Sequence, residues 1–377
     1  MINGIRINII AKLIRIKMLV ISFSLTASVK EAFRVALKLS DLRKQIYGNK
    51  KVIKVVKCRG KYYWDLYIPG WPSKQFSRFA QSELSRIHQG QKGKIILNTL
   101  IFAITKKCPL KCEHCFEWDV LNQREVLSPD KIETIISDFV NAGVVAIHLS
   151  GGEPLVRLDQ LEPIIKKYSS KADFWILTSG NRLDERKAKI LKKSGLVGVI
   201  VSLDHYLESM HDEFRGLKGS YEWALTAIRN CKVNGLITAM TVCVTKEFCT
   251  EENIRKYMEL AKSLGTDFVQ WLEPKAVGHF FGKDVKLSSE NESLLEKLYL
   301  EYNHSSGLQD FPIIDYHGYH QRRLGCFAAG NRNLYINTDG LIQPCPFCKS
   351  KTEDLRHLKV KELNNLLECD EYEKAIL

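Results

Sequence analysis

From residue 97 onward the chain alternates short apolar runs with helical segments, and no other feature restricts its fold so strongly. The runs are LNTLIFAIT, VVAIHLS, FWILTS, VGVIVSLD, LITAMTVCV and TDFVQWLE. The first helical segment, SPDKIETIISDFVNAG, has Ser128 as N-cap, Pro129 at its first position and Gly143 as its stop. Helices near 158–168, 184–193, 220–233 and 250–263 follow in turn. Strands apolar throughout, alternating with helices, specify an α/β fold in which a parallel sheet is covered by helices. Ligands bind such sheets at the carboxyl ends of the strands.

The first strand runs directly into KKCPLKCEHCFEW, which places Cys108, Cys112 and Cys115 within eight residues. Disulfides, a zinc site and an iron–sulfur cluster compete to explain the triplet. Disulfides belong to oxidising compartments and to small secreted domains. Here 11 cysteines are diluted in 377 residues, and six of them fall in two clusters, which favours metal binding in a reducing cytosol. Zinc sites bring four ligands, and His114 is too close in the chain to complete a tetrahedron without strain. A cuboidal cluster held by three thiolates leaves one iron open for a small molecule. Lys106, Lys107 and Lys111 beside the loop are expected to favour thiolate over thiol.

Charge is unevenly placed. Residues 1–60 carry 14 Lys plus Arg against 2 Asp plus Glu, so nearly all of the net +13 lies there. A nucleic-acid-binding enzyme would spread basic charge around its active site, so nucleic acid is not an expected partner. The longest uncharged run of this arm, Met18 to Val29, is too short to span a bilayer. A secretory signal would sit badly with thiolate-bound iron. Two readings of the arm stay open. It packs on the main domain with a solvated basic face, or it lies on an anionic membrane surface. Residues 52–68 read as two strands around Arg59–Gly60, and a polar segment runs from there to Lys94.

The motifs resemble those of the radical S-adenosylmethionine (SAM) superfamily. CPLKCEHC matches its C-x3-C-x-aromatic-C signature, with His114 as the aromatic-type residue. SGGEP (150–154) is similar to the GGEP motif, TSGNRL follows the third strand, and SLD (202–204) with HDEFRG and GSYEWAL follows the fourth, as in the peptide-modifying branch. The resemblance covers about residues 97–375. It implies a partial (βα)6 TIM-like barrel and a [4Fe–4S] cluster on Cys108, Cys112 and Cys115. It implies SAM held by Gly151, Gly152, Glu153, Pro154, Ser179, Asn181, Ser202, Asp204 and Arg215. In that chemistry the cluster reductively cleaves SAM to a 5′-deoxyadenosyl radical that abstracts a substrate hydrogen. A reductant such as flavodoxin or ferredoxin is then a partner, and a peptide or protein, or alternatively a lipid or membrane-associated precursor, is the substrate. An iron–sulfur electron carrier without chemistry of its own is the reading from another class.

A second cysteine group, Cys326, Cys345 and Cys348, follows with NTDGLIQPC and resembles the C-terminal auxiliary-cluster unit called SPASM or its shorter twitch form. Cys369 is a candidate fourth ligand. Cys58, Cys231, Cys243 and Cys249 read as packed thiols. The expected organisation is a basic extension over 1–95, a catalytic core over 96–285 and an auxiliary-cluster unit over 286–377, in a cytoplasmic protein with peripheral membrane contact left open.

Overall fold

A computed structural model describes residues 1–89, 97–328, 331–348 and 353–354. The six expected strands form in order as β4 (Thr99–Ala103), β5 (Ala146–Ser150), β6 (Asp173–Thr178), β7 (Gly198–Ser202), β8 (Ile237–Cys243) and β9 (Phe268–Leu272). Each pairs parallel with the next. The intervening helices are α4 (Pro129–Ala142), α5 (Leu158–Tyr168), α6 (Glu185–Ser194), α7 (Glu208–Arg215), α8 (Ser220–Val233) and α9 (Glu251–Ser263). Helix α4 shows why the sequence folds this way. The Ser128 side chain accepts from the Lys131 amide, Gly143 closes the helix at φ 111°, and Ile132, Ile135, Ile136, Phe139 and Val140 bury one stripe. That stripe joins the outward side chains of the strands in the main hydrophobic core.

Two additions were not legible as repeats. Helix α10 (Ser289–His304) and strand β10 (Ile313–Tyr316), placed by sequence in the C-terminal unit, extend the sheet by a seventh parallel strand beside β9. Strand β11 (Asn333–Ile336) pairs parallel with β4 at the opposite edge, and β12 (Leu341–Gln343) and β13 (Glu353–Asp354) follow antiparallel. The C-terminal residues therefore supply both edges of the central sheet.

The N-terminal residues are equally integrated. Helices α1 (Ile5–Thr26) and α2 (Val29–Tyr47) pack on α3 (Lys74–Gln89). Helix α3 lies in the segment read as merely polar, because its apolar stripe of Phe76, Ala80, Leu84 and Ile87 is narrow. The hairpin forms as expected, β2 (Lys54–Cys58) and β3 (Lys61–Tyr63), with Arg59 and Gly60 at φ 49° and 76°. From this hairpin Val56, Tyr63 and Leu66 enter the inner face of the sheet and pack on Trp175, Val197, Ile237, Phe268 and Ile313 at the amino ends of the strands. Asp173 fixes this floor, accepting from Gly70 N at 3.1 Å, Lys61 Nζ at 3.3 Å and Tyr63 Oη at 3.4 Å. Lys54 is buried, and its ammonium donates to the carbonyls of Tyr302, Phe311 and Pro312 at 2.7–3.0 Å, closing the end of α10.

Above the floor Tyr67 stacks on His148 at 4.6 Å, meets His317 at 4.6 Å and accepts from Gln270 Nε2 at 3.0 Å. Asp315 faces the same cluster, with Oδ1 3.5 Å from His317 Nε2. Burial raises the Asp315 carboxyl to about 7. Burial and the neighbouring Asp315 raise Asp65 to about 7 as well. A raised acid stabilises the folded state below its unfolded pKa, and that contribution is lost as pH climbs through about 7. Asp315→Asn is accordingly expected to raise the urea midpoint at pH 8 and to flatten its pH dependence, by on the order of 2 kcal/mol. Urea titrations of both proteins at pH 5 and pH 8 check this; equal slopes against pH would refute it.

Candidate active site

The cysteine loop leaves β4 and is clamped by backbone on three sides. Gly152 N donates to Thr105 O and Glu153 N to Lys107 O, both at 2.7 Å. Lys111 N and Glu113 N donate to the carbonyls of Arg215 and Phe214 at the end of α7, at 3.1 and 3.0 Å. His279 N donates to Cys115 O at 2.9 Å, while its ring nitrogen Nδ1 lies 2.9 Å from Cys112 O and the ring stacks on Trp118 at 3.8 Å. Asn122 closes the loop's mouth, its Oδ1 accepting from Cys108 N at 3.1 Å and its Nδ2 donating to Cys108 O at 2.9 Å.

The glycines of SGGEP gain a specific explanation from this. A Cβ on Gly152 would lie 2.4 Å from Lys107 O, and one on Gly151, at φ 135°, 2.7 Å from Thr105 O. Both residues approach the cysteine loop's backbone as closely as they line the cavity beside it. Gly152→Ala is expected to keep the far-ultraviolet circular dichroism of the native fold and to lose most reconstituted iron, because the obstructing atoms are backbone and cannot rotate away. Iron analysis after anaerobic reconstitution tests it; native iron content would show that the loop can shift.

Cys108, Cys112 and Cys115 line one cavity of about 160 Å³ with Gly151, Gly152, Ser179, Ser202, Asp204 and Arg215. The remaining expected SAM-contact residues stand behind it. Glu153 is buried, and its carboxylate accepts from Thr178 Oγ1 at 2.7 Å, Ser179 N at 2.8 Å, Ser179 Oγ at 2.5 Å and Leu155 N at 3.1 Å. It fixes the end of β6, Pro154 starts the turn that follows, and Asn181 N donates to Ser179 Oγ at 3.4 Å. Arg215 is held by Asp204 at 2.5 Å and points Nη1 at Cys112 Sγ, 3.5 Å away. The second Asp204 oxygen accepts from Cys243 N at 3.0 Å, and the Asp204 amide donates to His211 Nδ1 at 3.0 Å.

Burial pushes the Cys108 and Cys115 thiols up to about 12 and raises Cys112 too, with Arg215 opposing. The cation that reaches a sulfur is thus Arg215, not the lysines singled out by sequence. Lys106 pairs with Asp339 at 2.6 Å, and Lys107 donates to Asn122 O at 3.2 Å. Buried thiols of this kind ionise when a soft metal replaces their protons. Among the described residues no three His, Cys, Asp or Glu side chains converge on a single ion. A cuboidal cluster needs no such convergence, since each thiolate binds its own iron. His114 contributes a buried Nδ1 without a hydrogen-bond partner to the same cavity, its ring stacked on Phe214 at 4.9 Å, so the donor set fits a cluster.

Residues 102–267 match the radical SAM superfamily. Those residues form a radical SAM domain. It is 32% identical over 173 residues to Fe-coproporphyrin III synthase of Methanosarcina barkeri, covering 45% of this chain and 42% of that relative, so it spans less than half of that protein's length. It is 26% identical to the PqqA peptide cyclase of Gluconobacter oxydans over 66% of this chain and 69% of the cyclase. Among solved structures, Streptococcus suis SuiB bound to the precursor peptide SuiA superposes with a TM-score of 0.60 at 15% identity, covering 89% of this chain and 78% of SuiB. The protein anSMEcpe with bound AdoMet superposes at 0.53 and 18% identity, over 72% and 80% of the two chains. The cofactors of such a domain, a [4Fe–4S] cluster and SAM, are those the cavity's residues fit, and the enzymes among its relatives weigh against the electron-carrier alternative.

Sequence reasoning missed several groups around this site. His279 and the Gly278 backbone, which a Cβ would drive to 2.2 Å from Cys115 O, lie in a segment after β9 with no recognisable motif. Gln270 and Thr241 line the cavity from inward positions of β9 and β8 that read as ordinary strand. The second cysteine group reaches the site through its neighbours. Tyr335 on β11 donates to Glu117 Oε1 at 2.5 Å and meets Phe116 edge-on, and Phe347 packs on Phe116 at 5.9 Å. Cys348 N donates to Cys345 O at 3.3 Å, and Cys326 is buried. Cys369 lies outside the described residues.

Proposed function

We propose that this radical SAM enzyme modifies a side chain of a peptide or protein in the cytoplasm, with flavodoxin or ferredoxin as reductant. The observation that carries the reading is a groove of about 690 Å³ that shares Glu273, Pro274, Lys275, Val277 and Phe347 with the cysteine cavity. Its walls mix Lys283 and Lys286 with Asp284 and Glu292, a polarity suited to the alternating charges of a peptide. Glu273 is fixed at the junction by Arg322 at 2.7 Å and by Tyr316 Oη at 2.6 Å.

Cys108, Cys112 and Cys115 would hold the cluster, which with SAM supplies a one-electron cleavage and hence a hydrogen-abstracting radical. The other roles belong to the chain. Arg215 keeps a positive charge against Cys112, held in place by Asp204. Ser179 and Ser202 present hydroxyls at the carboxyl ends of β6 and β7. Phe280 and Leu272 limit water at the cavity wall, where a radical must be shielded. Cys326, Cys345 and Cys348 would hold an auxiliary cluster beside the groove, lined there by Cys348 and Phe347.

A second reading, a tetrapyrrole side chain, draws on the 32% identity to Fe-coproporphyrin III synthase and to the pre-heme d1 synthase of Dinoroseobacter shibae. A lipid precursor, the alternative raised by the basic arm, has no support among these relatives. The deciding experiment is anaerobic reconstitution with dithionite and SAM, with peptides encoded beside the gene and coproporphyrin offered separately. A SAM-dependent mass change in a peptide supports the first reading. Turnover of the porphyrin with every peptide unchanged replaces it with the second.

A further inference from the structure

Helix α1 carries apolar residues on two sides, and only one of them is covered. Ile7, Ile10 and Ile21 face the molecule, whereas Ile9, Leu13, Ile16, Val20 and Phe23 form a second stripe, each 46–58% exposed. Their spacing of four, three, four and three residues keeps them in one line along the helix. Phe33 and Leu37 of the adjacent α2 widen the stripe, at 56% and 64% exposure. A contiguous apolar surface of this length marks an interaction site.

Charge selects the occupant. Helix α1 carries Arg6, Lys12, Arg15 and Lys17 and no acidic residue, and α2 adds Lys30 and Lys38 close by, with Arg34 paired to Glu31. A second copy of the chain docked face to face would set cation against cation. The stripe's Leu13, Ile16 and Val20, with Trp71, line a shallow groove of about 760 Å³ that Lys17, Lys74 and Arg78 also line. Apolar side chains with cations among them match an acyl chain and its phosphate headgroup. No described helix is long and apolar enough to cross a membrane, so the contact is in-plane. The geometry points to a lipid-binding face formed by α1 and α2 that seats this enzyme on an anionic phospholipid bilayer. Neither the peptide nor the tetrapyrrole reading of the substrate bears on this assignment.

The test is co-sedimentation of the full chain with phosphatidylcholine vesicles and with vesicles that also contain phosphatidylglycerol. The expected result is about tenfold more bound protein on the anionic vesicles. Ile16→Glu with Val20→Glu should lower binding to both vesicle types, again by about tenfold or more. Lys12→Glu with Arg15→Glu should remove the preference for phosphatidylglycerol. All four side chains lie outside the cysteine cavity and its groove, and circular dichroism confirms folding. Wild-type protein that stays in the supernatant with both vesicle types overturns the assignment. So does a dimer by light scattering that Ile16→Glu with Val20→Glu dissociates, which would make the stripe a self-association face.

Discussion

Replacing Cys108, Cys112 and Cys115 together with Ala is expected to remove about four irons per chain from the reconstituted protein and to abolish SAM cleavage. The effect should be total rather than graded. The three sulfurs line one cavity, and the loop that carries them is held by backbone contacts from Gly152, Glu153, Phe214, Arg215 and His279, none of which depends on a thiol. The apoprotein should therefore stay folded while losing its chemistry. Iron analysis and chromatography of 5′-deoxyadenosine after dithionite measure both quantities. Retained cleavage in the triple variant would remove the basis for placing the chemistry at this loop.

A different outcome is expected when Cys326, Cys345 and Cys348 are replaced together with Ala. Cleavage of SAM should persist, uncoupled from substrate, while product falls to background. Those residues follow or precede β11, whose pairing with β4 is made by backbone hydrogen bonds. The cysteine cavity should survive their loss. The groove should not function as before, because Cys348 and Phe347 line it. Parallel assays of deoxyadenosine and modified substrate separate the two effects. Full product yield with unchanged iron would eliminate an auxiliary cluster. Cys369→Ala adds a finer distinction: an unaltered auxiliary spectrum means three thiolates suffice, and a lost spectrum makes Cys369 the fourth ligand.

Most of the site was readable because its residues follow strands at fixed points of a simple repeat. The cysteine spacing, SGGEP and SLD all fall where a parallel sheet presents its carboxyl ends. What escaped notice depends on contacts distant in sequence. Nothing local distinguishes His279 from a loop histidine, yet it braces two carbonyls of the cysteine loop more than 160 residues away. Glu153 was expected among the residues that hold SAM, but its carboxylate accepts from Thr178 and Ser179, which no motif reveals. Helix α3 was obscured by its own polarity, and β10 by its brevity and the polar SSGLQD before it. The arm was expected to pack with a solvated basic face or to rest on a membrane. It packs, but what it leaves exposed is as much apolar as basic.

The floor of the sheet has a consequence for how the chain reaches its native state. Residues 54–70 are synthesised before any strand of the large sheet, yet Lys54 ends among carbonyls of residues 302–312, Asp173 accepts from Gly70 N, and Gln270 donates to Tyr67. Those contacts span about 100 to 260 positions. Such separations slow the search for the folded state, because a long loop must close before its contacts are rewarded. The cover over Tyr63 and Leu66 is complete only when Phe268 of β9 and Ile313 of β10 have emerged. During translation the nascent chain thus carries apolar residues made well before the strands that complete their cover, and that interval is when it is most open to aggregation and most in need of a chaperone.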